Sequence, residues 1–381
     1  MENRKDRKCL LCNNSNHFIK LITLDNMPGS AQDLPSEKEL DKDFGETLVL
    51  EQCMDCGLVQ FRCDPVSYYK DVIRAGGTTS TMRDLRVNQY KDFIERFNLE
   101  GKKIIEIGCG RGDFLHFLND FNVKAVGLEN KKESIEFAKN NWGGPLNVLQ
   151  GFADENLGKV EGGPYDAFLS FNFLEHQPNP NSMLQAIYDN TTDDAVGLVT
   201  VPSLEYIINN NGYYELIKDH IAYYSFDTLK LLMNKNGFEV LSETIVNNDT
   251  LSIYVKKRQP LNSNNLNNNR KLLDESIKKL LSSSKKIAIW GASHQGFTLA
   301  ATSKLNGKIE YIIDSAKFKQ NKYSPATHIK IVPFEYFDEH PVDTILIIAP
   351  GYTNEIYQII RTKNKEVKVY SLRSSSLEEM K

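Results

Sequence analysis

The chain has 381 residues, more than one hydrophobic core usually fills, so we expect two domains and a small additional module. Its 46 Lys and Arg residues against 50 Asp and Glu residues give a net charge of −4, and no segment forms a long basic stripe, which argues against nucleic-acid binding. The amino terminus lacks the apolar core of a signal peptide and no apolar run is long enough to span a membrane, so we expect a cytoplasmic protein without a membrane partner.

Two C-x-x-C pairs mark the first predicted module, residues 1–80. The four cysteines are Cys9, Cys12, Cys53 and Cys56. In a reducing compartment such pairs are more often metal ligands than disulfides, and the segment between them must fold back, which 46–52 and 57–61 would do as a hairpin. We expect a structural zinc site, because four thiolates leave no open position for chemistry. The alternative is two pairs of buried free thiols.

A glycine loop opens the second predicted domain, residues 81–257, where strands and helices alternate. Gly108, Gly110 and Gly112 follow an apolar strand, precede apolar residues whose spacing predicts a helix, and allow the backbone to approach a ligand closely. An NAD fingerprint would have its third glycine where this chain has Asp113. Together with Glu106, the pattern E-x-G-x-G-x-G resembles the S-adenosylmethionine loop of class I methyltransferases.

The strands after this loop occur in an order that predicts a doubly wound α/β sheet of seven strands. A helix over 82–99 should precede the loop, and the strands after it should span 124–129, 146–150, 165–171, 196–201, 239–246 and 250–256. Glu129 ends the second strand, where a carboxylate can bind both ribose hydroxyls. Alternatively, Glu129 is a solvated residue at the end of its strand, without a ligand. Phe152 and Ala153 are candidates for the adenine contact, and Asn172 is a further cofactor candidate.

Two histidines are predicted to lie beside the cofactor crevice. Glu175 and His176 follow the fourth strand, and Asp219 and His220 follow the fifth, so both pairs lie at the carboxyl edge of the sheet, where ligands bind. Each histidine alone would more often be a packing residue. Their shared position beside a methyl donor favours catalysis, since histidine suits proton removal near neutral pH.

Taken together, these motifs resemble the bacterial sugar C-methyltransferases over the whole chain. That family combines a four-cysteine zinc module, the E-x-G-x-G-x-G loop, an L-E-H loop, a second acid-histidine pair followed by tyrosine, and a W-G-A segment. The resemblance implies methyl transfer from S-adenosylmethionine to the carbon beside the ketone, C-3, of a nucleotide-linked 4-keto-deoxysugar. It implies that His220 is the base and that His176 stabilises charge on the keto oxygen.

One position departs from the family pattern. Ile217 stands where the family has a tyrosine, in a motif that otherwise ends in Asp219 and His220. Asp219 can still orient the imidazole, and one of several nearby tyrosines, among them Tyr224, can replace the missing hydroxyl. A different sugar would also explain the change.

The third predicted domain, residues 258–381, begins with a linker over 258–285 that contains a helix. A strand, a glycine loop and a helix then recur from Lys286, which predicts a second Rossmann-like unit. Ser293 stands where a dinucleotide fingerprint would have glycine, so a structural turn is the better interpretation. The resemblance implies that this domain helps bind the nucleotide sugar, with Tyr323 and His328 as contacts.

Two other functions remain open at this stage. One is an O- or N-methyltransferase that acts on another small metabolite. The other is a non-catalytic, zinc-bearing adaptor with a methyltransferase fold. We expect a monomer or a weak homo-oligomer.

Overall fold

A computed structural model describes residues 8–71, 79–142, 144, 146–373 and 376–381. The chain forms two compact units, the first ending at Gln259 and the second beginning at Pro260. No helix in these described ranges is long and apolar enough to cross a membrane.

Strands and helices alternate through most of the first unit. Its strands are β1 (Phe18–Met27), β2 (Glu46–Cys53), β3 (Val59–Phe61), β4 (Lys103–Ile107), β5 (Lys124–Glu129), β6 (Val148–Gln150), β7 (Tyr165–Phe171), β8 (Thr191–Pro202), β9 (Ala222–Tyr223), β10 (Phe238–Val246) and β11 (Thr250–Lys257). Its α-helices are α1 (Ser80–Phe97), α2 (Lys132–Asn141), α3 (Pro180–Asp189), α4 (Leu204–Asn209) and α5 (Phe226–Lys235).

The cysteine-containing module forms a small sheet with the order β1-β2-β3-β9. The predicted hairpin is confirmed, since β2 and β3 pair antiparallel with Leu50 opposite Phe61. In β3, Val59 also pairs with Tyr223 of β9, a strand from much later in the chain. The amino-terminal module is therefore joined to the remainder of the first unit by backbone hydrogen bonds.

The central sheet has seven strands in the order β10-β11-β8-β7-β4-β5-β6. Strands β4 to β8 pair in parallel, and β10 and β11 are antiparallel additions at one edge. The predicted class I methyltransferase topology is confirmed. From β4 the chain first builds outward to β5 and β6, then returns to add β7 on the other side. Ligands bind at such a switch point, outside the carboxyl ends of the strands.

The segment after the glycine loop differs from the prediction. It forms a short 3₁₀-helix over Leu115–Asp120 instead of an α-helix, so no α-helical amino terminus faces the loop. The chain becomes extended at Phe121, because β5 begins only three residues later. Within this turn the apolar side chains are buried as expected, and the His116 ring stacks on Trp142 at 4.0 Å.

The second unit contains the predicted Rossmann-like arrangement. Its strands are β12 (Ile287–Trp290), β13 (Tyr311–Ile313), β14 (Ile331–Val332), β15 (Thr344–Ile347), β16 (Lys368–Arg373) and β17 (Ser376–Glu379), and its helices are α6 (Asn264–Ser283), α7 (His294–Thr302), α8 (Tyr336–Glu339) and α9 (Thr353–Lys363). The sheet order is β14-β13-β12-β15-β16-β17, parallel except for β17. The Ser293 side chain accepts a hydrogen bond from Gly296 N–H and caps α7, as a structural turn requires.

Candidate active site

The glycine loop adopts a conformation that only glycine tolerates easily. Gly108, Gly110 and Gly112 have φ angles of 69°, 56° and 78°. A Cβ atom at Gly112 would lie 2.5 Å from the Leu146 side chain, so this position excludes other residues by contact as well as by conformation. The loop consequently runs close against the carboxyl end of β4.

Glu129 holds this loop in place from the end of β5. Its carboxylate accepts hydrogen bonds from Gly110 N–H at 3.0 Å and from Lys131 N–H at 2.8 Å. Burial raises the pKa of Glu129. The acid predicted to bind ribose thus lies beside the loop, and its oxygens already bind backbone amides.

A cavity of about 500 Å³ opens beside the loop. The predicted residues that line it are Glu106, Gly108, Gly110, Asn172 and His176. Asn172 has a φ of 47° and its Oδ1 accepts a hydrogen bond from Thr200 at 2.9 Å. A narrower cleft is lined by Glu129, Phe152 and Ala153, so the predicted cofactor residues other than Gly112 line two adjoining spaces that share Gly108 and Phe173. Gly112 lines neither space.

Arg86 is a functional candidate that sequence reasoning missed. It projects from α1 into the same cavity and is 3 % exposed. Its guanidinium carbon lies 3.3 Å from the centre of the Phe171 ring, its Nη1 donates to Gln89, and its Nε has no partner among the described residues. The sequence did contain a signal for this residue, because Arg86 is a cation among the apolar residues of the predicted helix over 82–99.

The charge of Arg86 is close to that of Glu106. Burial lowers the pKa of Arg86 and raises that of Glu106 to about 7, although the guanidinium and the Tyr90 hydroxyl partly offset this rise. Tyr90 O–H lies 3.4 Å from the carboxylate. The cavity therefore presents a buried cation and a buried acid to a ligand.

The two predicted histidines lie face to edge, with ring centres 4.7 Å apart. His176 Nδ1–H donates to the Asp219 backbone carbonyl at 2.7 Å, which assigns the tautomer and leaves the lone pair on Nε2. Burial lowers the pKa of His176, and burial together with the neighbouring ring lowers that of His220 to about 3. Burial therefore favours the neutral form of both rings, each of which has a lone pair on one nitrogen.

Glu175 lies behind this pair in a 3₁₀ turn, Leu174–His176. It is 2 % exposed, and burial raises its pKa to about 8. Its Oε1 lies 3.9 Å from His176 Nε2, and its Oε2 has no hydrogen-bond partner within the described ranges. The carboxyl group thus lies beside His176 Nε2 but beyond hydrogen-bond distance of it.

Asp219 acts differently from what the sequence suggested. Its carboxylate accepts hydrogen bonds from the Tyr68 hydroxyl at 2.6 Å and from Ala31 N–H at 3.0 Å. In the described part of the chain no hydrogen bond joins this carboxylate to the His220 ring. The orienting contact of Asp219 is instead made by its backbone, and it acts on His176.

The tyrosines near Ile217 have separate environments. The Tyr223 hydroxyl accepts a hydrogen bond from Ile217 N–H at 2.9 Å and donates one to the Ile217 carbonyl at 3.2 Å. Ile217 is the position where the family has tyrosine. Tyr224 is buried, and its hydroxyl has no partner among the described residues. Tyr213 and Tyr214 are exposed.

The four paired cysteines converge in the first unit. Cys9 and Cys56 Sγ atoms are 3.5 Å apart, those of Cys12 and Cys53 are 3.6 Å apart, and all four lie within 4.8 Å of one another. Thiolates bound to a tetrahedral zinc ion at about 2.3 Å lie about 3.8 Å apart, so this donor set fits zinc. The hydrogen bond from Cys56 lowers the pKa of Cys9 to about 5, which favours one thiolate.

The two candidates in the second unit lie on its surface. Tyr323 is 61 % exposed, and His328 is exposed with a φ of 54°. Asn321 and Ala326, in the same surface segment, also have positive φ angles, 62° and 61°.

Comparison with known proteins identifies two consecutive regions. A family model described as a methyltransferase domain matches residues 82–243, and one described as a C-methyltransferase C-terminal domain matches residues 247–368. The chain is similar to the C-methyltransferase NovU of Streptomyces niveus, with 22% identity over 92% of this chain and 91% of that protein.

Other matches cover less of the chain. The ubiquinone biosynthesis O-methyltransferase of Chromobacterium violaceum is 30% identical, but the match spans 25% of this chain and 42% of that protein. Among solved structures, magnesium protoporphyrin IX methyltransferase from Synechocystis, with bound SAH, has a TM-score of 0.38 and 16% identity over 49% of this chain and 90% of that one. A methyltransferase from Clostridium acetobutylicum has a TM-score of 0.39 and 10% identity over 46% of this chain and 92% of that one.

Proposed function

Since the chain is an S-adenosylmethionine-dependent methyltransferase and belongs to the C-methyltransferases, we propose that it methylates the carbon beside the ketone, C-3, of a nucleotide-linked 4-keto-deoxysugar. The observation that carries this proposal is the pair of neutral histidines, of which His176 is buried and lines the donor cavity, and His220 is half-buried with its ring centre 4.7 Å from that of His176. Removal of a proton from carbon needs a positioned proton acceptor, whereas a hydroxyl group loses its proton with less help from a base.

Residues of the first unit would hold the donor at both ends. We assign Glu129 to the ribose hydroxyls and Phe152 and Ala153 to the adenine, because all three line the narrower cleft. In the main cavity, Arg86 and Glu106 match the carboxylate and ammonium groups of the methionine part, since each carries the opposite charge in a desolvated position. When bound, S-adenosylmethionine supplies an electrophilic methyl group on sulfur.

Proton removal is assigned to His220. Its ring is largely buried, is neutral, and is engaged by no hydrogen bond from the described residues, so a lone pair is available for the proton on the carbon beside the ketone. The electron pair left on carbon would form the new bond to the methyl group, and the methyl–sulfur bond would break with its electron pair left on sulfur. Positioned proton transfer of this type supplies roughly 10²–10⁴-fold of rate enhancement.

Stabilisation of the enolate oxygen is assigned to His176. Its neutral tautomer presents a lone pair at Nε2, so it can donate to an oxyanion only after it gains a proton there. The carboxyl group of Glu175, 3.9 Å from Nε2, is the adjacent source of that proton. Glu175 and His176 would thus share one proton, which moves toward the histidine as negative charge develops on the keto oxygen.

Further candidate residues are proposed in each unit separately. Tyr224, buried with an unpartnered hydroxyl, is a candidate for the hydroxyl that the family supplies at the position of Ile217. In the second unit, exposed Tyr323 and His328 are candidates for contact with the nucleotide sugar. We also propose that Cys9, Cys12, Cys53 and Cys56 bind one structural zinc ion.

The reaction is tested with purified protein, isotopically labelled methyl donor and a panel of nucleotide-linked ketosugars. Label on the carbon beside the ketone supports the proposal. Label attached through oxygen or nitrogen would assign the enzyme to the O- or N-methyltransferases, and failure to bind the donor would favour the adaptor.

The base is tested by solvent deuterium wash-in at the same carbon. We expect His220→Ala to lower the exchange rate by about 10²-fold or more, because it removes the proton acceptor. His17→Ala, which removes an exposed imidazole in the cysteine module, serves as the control. An exchange rate that is unchanged in His220→Ala would remove this residue from the role of base.

A further inference from the structure

Three side chains at the active site present electron pairs toward one another. One ligand atom each from Glu175, His176 and His220 lies within 4.8 Å of the other two. Glu175 and His176 are 2 % and 6 % exposed. We propose that these three residues bind a divalent transition-metal ion of the zinc class, at a second site separate from the four cysteines.

The orientation of His176 is that of a metal ligand. Its Nδ1–H donates to the backbone carbonyl of Asp219 at 2.7 Å, and Nε2 lies 3.9 Å from Glu175 Oε1. Histidines that ligate a metal commonly donate their other N–H to a carbonyl or carboxylate, which fixes the ring and aims the free nitrogen at the ion. The free nitrogen of His176 is aimed toward the Glu175 carboxylate.

The carboxylate of Glu175 supplies a second, independent indication. Its Oε2 is buried and has no hydrogen-bond partner in the described part of the chain. Leaving such an oxygen unpaired in a buried position is unfavourable, and more so when the group is charged. A cation between Glu175 and the two rings would remove that cost, and any proton held by the carboxyl group would be released to solvent on binding.

The donor set selects the type of ion. Two imidazoles and one carboxylate suit zinc and its neighbours, whereas Mg²⁺ and Ca²⁺ prefer oxygen ligands. Zinc binds nitrogen and oxygen at about 2.0–2.2 Å, so the three donors must close by roughly 1 Å, which small rotations of the carboxylate and the rings can provide. Three protein ligands leave a coordination position open, and His176 lines the donor cavity.

Metal binding and the proposed proton transfer exclude each other. Ligation occupies the lone pair of His220 that would otherwise accept the substrate proton. The ion at this site is therefore expected to act as an inhibitor. The binding itself involves no sugar, so this inference can fail while the proposed reaction stands, and the reverse also holds.

The test is a zinc titration of the full-length protein by calorimetry, starting from protein that already contains its structural zinc. We expect the wild type to bind one further equivalent. Glu175→Gln and His220→Asn should each weaken this second binding by at least about 100-fold, since even loss of an outer contact typically costs 10- to 100-fold. His17→Gln, which removes an exposed imidazole close to the cysteine module, should leave it unchanged.

Cobalt identifies the ligands independently. Co²⁺ in the second site should show the weak visible bands of nitrogen and oxygen ligation, without the intense charge-transfer band of thiolates. Equal donor affinity in the wild type and the variants would show that they are folded. Binding of no equivalent beyond the cysteine site, or a second equivalent with unchanged affinity in both active-site variants, would overturn the proposal.

Discussion

At the scale of single residues, burial determines the chemistry of the site. Glu106, Glu175 and His220 all lie in positions that disfavour their charged forms, which raises the pKa of the acids and lowers that of the histidine. Arg86 is kept charged in the same surroundings by the Phe171 ring and by the high intrinsic pKa of guanidinium. The buried charge of Arg86 is therefore available for a ligand group of opposite charge.

Arg86 is predicted to select the carboxylate of the donor. Arg86→Met should weaken S-adenosylmethionine binding by about 10- to 100-fold, because a hydrogen bond to a charged group contributes about 1.5–3 kcal/mol. The variant should also bind decarboxylated S-adenosylmethionine about as well as the intact donor, whereas the wild type discriminates. Calorimetry with both ligands measures this. Arg83→Met, on the exposed side of the same helix, is the control, and discrimination retained in Arg86→Met would contradict the assignment.

Glu106 is predicted to make donor binding depend on pH. Burial raises its pKa to about 7 against the opposing effects of Arg86 and Tyr90, while Asp113 raises it further. The donor ammonium favours the ionised acid, so affinity should rise as pH increases from 6 to 7.5, by up to about eight-fold.

Calorimetry in two buffers of different ionisation enthalpy should detect the proton that is released from Glu106 on binding. In Glu106→Gln both the release and the pH dependence should disappear. Proton release that persists in this variant would assign it to another group.

At the scale of elements, the carboxyl edge of the central sheet assembles residues that are far apart in sequence. The loop after β4 is the glycine loop, Glu129 is the last residue of β5, and the Glu175–His176 turn follows β7. α1 adds Arg86, and the segment after β3 adds the Tyr68 hydroxyl. Rigid strand ends thus position side chains that each loop alone would leave mobile.

The glycine loop is predicted to tolerate a side chain poorly at Gly112. Gly112→Ala should lower the free energy of unfolding more than Gly101→Ala, since both residues have positive φ but only Gly112 has an atom within 2.5 Å of the added Cβ. The conformational cost common to both is about 1–2 kcal/mol, and the clash should add about 1–3 kcal/mol. Urea unfolding measures both variants, and equal losses would contradict the steric explanation.

At the scale of the whole molecule, the cysteine module is part of the first unit's core. Cys9, Leu11 and Cys53 are buried in the same cluster as Phe168 of β7 and Tyr224. The Asn181 amide of α3 also donates to the Leu10 and Leu11 carbonyls, at 2.8 and 3.1 Å. Loss of the proposed zinc ion should therefore disturb the methyltransferase core directly.

Removal of zinc by a chelator is predicted to destabilise the first unit and to leave the second unchanged. Differential scanning calorimetry should show one transition at a lower temperature and the other unshifted, because the core of the second unit contains no cysteine. Cys53→Ser should reproduce the shift, and Cys63→Ser, outside the four-cysteine cluster, should retain about one zinc per chain. A single transition that moves as a whole would contradict independent units.

Sequence by itself determined the features that depend on local pattern. The glycine spacing after an apolar strand, the acid at Glu129 and the paired cysteines each require particular residue types at fixed separations, and the fold, the methyltransferase activity and the family followed from them. The prediction of an α-helix after the glycine loop was wrong, because the spacing of apolar residues does not show how few residues remain before the next strand.

Tertiary structure alone decided the contacts between distant segments. The tautomer of His176, the capture of the Asp219 carboxylate by Tyr68, and the meeting of Arg86 with Phe171 all join residues whose separation in sequence carries no contact information. Burial decided the pKa values for the same reason, since desolvation depends on all the atoms that surround a group and not on its neighbours along the chain.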